Sequence, residues 1–245
     1  MSATAIAHPN VALIKYWGKQ RQLGNIPAVG SLSVTIGALA TRTSVRFDEA
    51  LKADRLTLNG QAVPMEQSRL AACLDALRNL AGERRHAAIV SENDFPTGAG
   101  LASSASGYAA LAAAAAAALD IDASDRRLLD IARIGSGSAP RSMFGGFVAL
   151  HVSGGQVHCE QILEAAAWPL EIAVAVTTEQ AKSVTSRAGM EQSRLTTPYY
   201  EPWSASHDSE LQRALGFGAD RDCAGLADLA ECTCLHMHRG SRTTR

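Results

Sequence analysis

Pro96-Thr97-Gly98-Ala99-Gly100-Leu101-Ala102-Ser103-Ser104 runs without a break into Tyr108-Ala109-Ala110-Leu111 and an alanine-rich stretch that ends at Leu119. Glycines let backbone amides converge on an anion, a helix N-terminus carries partial positive charge, and two serine hydroxyls add donors. The stretch therefore predicts a phosphate cradle opening a long helix. Alanine is the best helix former and lets a neighbouring backbone come close, so this helix is expected to lie tightly on a sheet. A glycine-serine helix cap with no ligand is the plain alternative. Two familiar phosphate loops are excluded. Leu101 and Ala102 stand where a Walker loop needs lysine and then serine or threonine. Ser103 stands where a dinucleotide-binding loop needs its third glycine or an alanine.

Outward from this loop the pattern alternates between strand and helix. His86–Asn93, just before it, reads as a strand. From Glu66 to Arg84 the apolar positions Leu70, Cys73, Leu74, Leu77 and Leu80 recur at three and four, marking an amphipathic helix. Further back, SLSVTIGA and TSVRF alternate as strands, and RLTLNGQAV carries the Asn59-Gly60 pair of a tight hairpin. VALIKYW, residues 11 to 17, is a short strand running into a turn at Gly18 and Lys19. Downstream, RRLLDIARIG predicts a helix ended by glycine. GGFVALHVS and LEIAVAVTT predict strands on either side of a polar connection. Helices are expected around Glu210–Leu215 and from Asp222 to about His238, with a domain boundary near Trp168. The fold class is α+β.

The composition limits what such a fold does. At 245 residues and 47% hydrophobic content the chain can build a substantial core. Its 23 basic and 24 acidic side chains give a net charge of −1, which is no footprint for a nucleic-acid partner. No run is long and apolar enough to span a bilayer, and the N-terminus lacks a secretory signal, so a cytoplasmic location is expected. Five irregularly spaced cysteines argue for reduced thiols rather than a disulfide framework. Cys232, Cys234, His236 and His238 do not have the spacing of a structural zinc site, because alternate residues on a helix diverge by about 200°.

Three motifs occur in order: Asn10 to Lys19 with the tetrapeptide Tyr16-Trp17-Gly18-Lys19, the loop P-x-x-x-G-L-A-S-S-A, and Gly135-Ser136-Gly137-Ser138-Ala139-Pro140-Arg141-Ser142 followed by MFGGF. The loop resembles that of the GHMP kinase superfamily, and the other two resemble the diphosphomevalonate decarboxylases within it. The resemblance runs from about Pro9 to about His238. Pro140 and Met143 are small departures from the usual pattern.

That resemblance implies a two-domain GHMP kinase-like fold, with a ribosomal-protein-fold-like ATP-binding domain over 1–167 and an incomplete ferredoxin-like domain over 168–245. It implies ATP-dependent decarboxylation of (R)-5-diphosphomevalonate to isopentenyl diphosphate, with Mg²⁺ on the ATP phosphates and a homodimer as the assembly. It assigns Gly98, Ala99, Gly100, Leu101, Ala102, Ser103 and Ser104 to ATP. Tyr16, Trp17, Gly18, Lys19, Arg69, Ser136, Gly137, Ser138, Ala139, Pro140, Arg141, Ser186 and Arg187 fall to the substrate's diphosphate and carboxylate. Arg141 and Lys15 are the candidate catalytic residues. Arginine is the side chain whose planar fork matches a carboxylate.

Each residue also has a structural role to outweigh. Lys15 on a strand could simply lay its stem over apolar surface, Ser136 and Ser138 could be turn residues, and Arg69 could form an exposed ion pair. The family continues past the position of His238 with an Asp-Ala-Gly-Pro motif whose aspartate is the catalytic base. These 245 residues do not contain it, which is read here as a truncation or an altered reading frame. Asp94, the acid nearest the loop, has the look of a strand-end turn residue. The competing readings are a GHMP small-molecule kinase such as a mevalonate 3-kinase, a phosphomevalonate decarboxylase, and a catalytically dead nucleotide-binding fragment.

Overall fold

The computed structural model describes every residue except 21–23, 66–68, 98–99, 176–183 and 243–245, and only the backbone at 240–242. The described chain forms two compact units that interleave along the sequence instead of following one another. The first unit comprises Met1–Asn10 and Ile36–Met143; the second takes Val11–Thr35 and the chain from Phe144 onward. The expected division at Trp168 partitions the chain by order, whereas the units group segments distant in sequence.

The first unit holds a five-stranded sheet in the order β1 (Ser2–Ala7), β4 (Thr41–Asp48), β7 (His86–Asn93), β5 (Arg55–Leu58), β6 (Gln61–Val63). All pairings are antiparallel except β5 with β7. Thr41, Thr43, Val45 and Phe47 alternate inward along β4, as period-2 patterning requires of a sheet covered on one face. Helices α1 (Arg69–Ala81), α2 (Ser103–Ala118) and α3 (Arg127–Gly135) supply the cover. Val45, Phe47 and Ile89 of the sheet pack with Leu74 and Leu77 of α1, Leu111 and Ala115 of α2, and Leu128 and Ile131 of α3. Helix α2 is buried on almost every side, which its methyl side chains permit.

The hairpin joining β5 and β6 turns at Asn59 (φ 49) and Gly60 (φ 77), both left-handed, as a type I′ turn demands. Asp54 fixes the start of β5. Its Oδ1 takes hydrogen bonds from the nearly buried Arg78 of α1 and from the Ala87 backbone of β7.

The second unit contains a four-stranded sheet in the order β2 (Asn10–Ile14), β3 (Ser31–Thr35), β8 (Phe147–Ser153), β9 (Gln156–Leu163), with β2 beginning on the last residue of the first unit. It is covered by α5 (Tyr200–Asp220) and α6 (Cys223–Arg242), with α4 (Ser186–Thr196) beside them. Ile14, Leu32, Val34, Phe147 and Ala149 meet Leu211, Ala214, Leu226 and Leu229 in its core.

Three expectations are corrected here. The polar connection after β8 is itself a strand, β9, reached through Gly154 and Gly155 at φ 57 and 76. The helix expected over Glu210–Leu215 is one of 21 residues. The strand expected over LEIAVAVTT is absent from its described part. Residues 171–175 belong to no element and are exposed, and 176–178 lie outside the described residues. A strand exists only through a ladder partner, and among the described residues nothing pairs with this segment.

Candidate functional site

In the first unit the predicted phosphate loop delivers Ser103 and Ser104 as the first two residues of α2. The chain enters the helix through Gly100 at φ 103 and Ala102 at φ 55, a left-handed conformation that is unfavourable for alanine. Ala102 occupies the N-cap position, and no side chain caps the helix. Neither serine therefore acts as its N-cap residue, and within the first turn the Ala105 amide donates to the Ala102 carbonyl at 2.8 Å. Gly98 and Ala99 lie outside the described residues.

Beside the serines lies a cleft of about 240 Å³ with a divided lining. Leu56, Leu58, Leu70, Ile89, Tyr108 and Leu111 form its apolar wall, and Ser91, Asn93, Thr97, Ser103 and Ser104 its polar side. The polar side is fixed by a network. Asn93 Nδ2 and Asn59 Nδ2 donate to Thr97 Oγ1 at 2.8 and 3.1 Å, and Thr41 Oγ1 donates to Asn93 Oδ1 at 2.6 Å.

A chain of hydroxyls leads away from the loop. Ser104 Oγ lies 3.2 Å from Ser136 Oγ, which lies 3.1 Å from Ser138 Oγ. Ser136 is the C-cap of α3, and the chain then folds into a 3-10 turn over Ala139–Met143. That turn carries Pro140 and Arg141, and Arg141 is only 3% exposed. The turn is held by Asn10, whose Nδ2 donates to Ser142 Oγ at 2.7 Å and to the Ser138 carbonyl at 3.4 Å. Arg69, exposed at the start of α1, forms no ion pair among the described residues. It donates to the Gly135 carbonyl at 2.5 Å with its guanidinium 5.7 Å from the centre of the Tyr108 ring. Burial raises the Tyr108 phenol above its ordinary range, against the opposing charge of Arg69.

In the second unit, Tyr16 is buried with Val29, Met190 and Trp203, and Trp17 Nε1 donates to Ser193 Oγ at 3.0 Å. Gly18 has φ +127, a conformation strained for any residue with a side chain, and a Cβ there would also meet the Tyr200 hydroxyl. Lys15, one residue beyond β2, is exposed between the buried Ile14 and Tyr16. Lys19 Nζ donates to Asn25 Oδ1 at 2.6 Å, and Arg187 Nη2 donates to the same oxygen. Ser186 and Arg187 open α4, whose N-cap is Thr185, its hydroxyl accepting from Ala188 N at 3.2 Å.

The sequence missed Asn25. It is buried at 7% exposure with φ 57, and its one amide oxygen gathers Lys19 from 6 residues away and Arg187 from 162. Asparagine is one of the few residues that tolerates the left-handed region, which was the available signal. Asp94, expected as a strand-end turn residue, lies just past β7 and ties that end to the chain before β4: its Oδ1 accepts from the Ala40 backbone at 2.8 Å, and its own amide donates to the Ala40 carbonyl at 3.2 Å.

A family model described as the diphosphomevalonate decarboxylase-like N-terminal domain matches residues 7–160. The chain belongs to the diphosphomevalonate decarboxylase family. The diphosphomevalonate decarboxylase of Debaryomyces hansenii is 37% identical over 219 residues, 82% of this chain and 56% of its own. The chain thus spans little more than half the length of that relative. Among solved structures, mevalonate diphosphate decarboxylase from Staphylococcus aureus superposes with a TM-score of 0.86 at 39% identity, covering 99% of this chain and 75% of its own. A complex of MDDEF with MVAPP, AMPPCP and magnesium gives 0.86 at 36% identity, covering 100% and 76%. The α+β, GHMP kinase-like character read from the loop is that of these neighbours.

Proposed function

We propose that this chain carries ATP- and substrate-binding surfaces for the ATP-dependent decarboxylation of (R)-5-diphosphomevalonate to isopentenyl diphosphate, with release of ADP, phosphate and CO2. The observation that carries the reading is the divided cleft with two serines on an uncapped helix at its rim. Small-molecule sites commonly measure about 300–1,000 Å³. At about 240 Å³ the cleft suits the nucleoside part of ATP, leaving the phosphates at the serine rim. There Ser103, Ser104 and the α2 amides donate to them. The hydroxyls of Ser136 and Ser138, with Arg141 in the adjoining turn, take the substrate side.

Arg141 grips the substrate carboxylate through two parallel hydrogen bonds, orienting the C–C bond that breaks. Tyr16 to Lys19, Ser186 and Arg187 hold the diphosphate, with Lys19 and Arg187 preset by Asn25. Phosphorylation of the tertiary hydroxyl turns it into a leaving group. Its departure leaves positive character that collapses as CO2 is lost, a course stabilised mainly by positioning and electrostatics. Mg²⁺ would neutralise charge on the transferring phosphate. Among the described residues no group of three His, Cys, Asp or Glu side chains is placed to hold an ion. The proton acceptor for the hydroxyl is not assigned to a residue of this chain. No described helix is long and apolar enough to cross a membrane, and a cytoplasmic homodimer is the proposed context.

The test is to follow phosphate and CO2 separately, with diphosphomevalonate and with its monophosphate. Matched release of both from the diphosphate supports the reading. Transfer to substrate without CO2 would make the protein a kinase.

A further inference from the structure

Three thiols lie exposed along α6, at Cys223, Cys232 and Cys234, and their surroundings differ. Cys232 Sγ is 3.8 Å from Nε2 of His236, one helical turn further on. The other ring nitrogen, Nδ1, is 3.9 Å from Oε1 of Glu210 on α5. Cys234 projects about 200° away from Cys232 on the same helix. Cys223 begins α6, more than two turns earlier. Among the described residues neither has an imidazole within hydrogen-bond range.

Glu210 sets this group apart from a chance pairing of neighbours on a helix. It is only 8% exposed; Ser206 Oγ donates to Oε1 at 3.4 Å, and Oε2 has no hydrogen-bond partner among the described residues. A buried carboxylate left half satisfied is costly unless a cation faces it. His236 stands between the two, its Nδ1 toward Glu210 and its Nε2 toward the thiol of Cys232. Thiol, imidazole and carboxylate thus stand in the order of an activated nucleophile, a base and the group that orients the base.

We propose that Cys232 is a modification site, a thiol activated by His236 and Glu210 to attack low-molecular-weight disulfides. The thiol proton passes to Nε2, and Sγ bonds to one sulfur of the disulfide as the S–S bond breaks. The second sulfur leaves with the electron pair and takes the proton from the imidazolium. One mixed disulfide forms at Cys232 and one small thiol is released. No outside oxidant is needed beyond the disulfide itself. The site is separate from the residues proposed to hold ATP and substrate, so it stands whether or not that assignment does.

The experiment treats the purified chain briefly with 2-hydroxyethyl disulfide, quenches, and reads the adduct at each cysteine by mass spectrometry, with fragment ions separating Cys232 from Cys234. The same reaction on the urea-unfolded chain gives each thiol's rate without its folded neighbours. Activation by an adjacent base predicts that folded Cys232 reacts about tenfold faster than Cys223 and Cys234, an advantage lost on unfolding. His236→Gln, at a side chain 53% exposed, should bring Cys232 down to the rate of the other two and leave theirs unchanged. Glu210→Gln should lie between. An advantage smaller than about threefold, or one that survives His236→Gln, overturns the proposal.

Discussion

Asn25→Asp is predicted to move stability and substrate affinity in opposite directions. Asn25 Oδ1 accepts from Lys19 Nζ at 2.6 Å and from Arg187 Nη2, so it holds two like charges close together without neutralising either. Aspartate has nearly the same shape, tolerates the left-handed backbone at φ 57, and keeps both acceptors while adding a negative charge. For the fold, each neutral contact becomes an ion pair. Arg187 is exposed, so the gain is held to about 0.5–1 kcal/mol. For a bound diphosphate the sign reverses. At a separation of about 5 Å and an effective dielectric of about 20, each unit of ligand charge is repelled by about 3 kcal/mol, and screening at the exposed end halves this or more. What remains, up to about 1.5 kcal/mol for each unit of ligand charge, is on the order of tenfold in affinity. Asn25→Ala should lower both quantities, since it removes the acceptor and places alanine in a conformation it disfavours. Thermal melts and calorimetric titration with diphosphomevalonate read the two effects. An Asn25→Asp chain that melts higher and binds diphosphomevalonate as tightly as the parent refutes the assignment of Lys19 and Arg187 to the diphosphate.

Arg141→Lys keeps the charge but loses the planar fork, so diphosphomevalonate affinity or turnover should fall by about tenfold or more while ATP binding holds, as paired titrations would report. Replacing Ser103 and Ser104 together by alanine should weaken ATP binding with little change in melting temperature, because neither serine is the N-cap of α2; unchanged ATP affinity in the folded variant would count against the phosphate rim. His207 is wholly buried, with Nε2 donating to the Gly30 carbonyl at 2.9 Å, and burial lowers its pKa from 6.5. The neutral form is the one that folds, so stability is complete above pH 6.5 and is lost as pH falls from there toward the folded pKa, by up to about 1.4 kcal/mol per unit. Urea titrations across this range should show that slope, and His207→Gln, which keeps a donor for Gly30, should flatten it.

Local signals were legible wherever local chemistry decides the structure. The Asn59-Gly60 turn, the strand over His86–Asn93 and the alanine helix are written in turn propensity and period, and they form as read. The strand over LEIAVAVTT failed for the opposite reason. Its alternation is sound, but strand structure depends on a neighbour that local sequence does not name. Strand β9 shows the reverse error: Val157, Cys159 and Ile162 are spaced by polar residues after a Gly-Gly turn, and the polar positions hid a pairing with β8 that begins at Ser153 and Gln156.

The same distinction separates the two halves of the candidate site. Ser103, Ser104, Ser136, Ser138 and Arg141 are motif residues whose roles depend on neighbours a few positions away: an uncapped helix start, a C-cap, a 3-10 turn. Motif reading finds such residues because the motif is itself the local structure. Asn25 belongs to no motif, and its importance arises only when α4 brings Arg187 to an oxygen already engaged by Lys19. One local mark is available for such residues, a polar side chain able to sit at positive φ beside a proline-bearing turn, here Asn25-Ile26-Pro27. An asparagine forced into that conformation has its amide fixed relative to the backbone, and a fixed, buried acceptor draws cations from whatever element packs beside it. Where basic residues are proposed to hold anions, such asparagines are therefore the positions to examine after the arginines and lysines themselves.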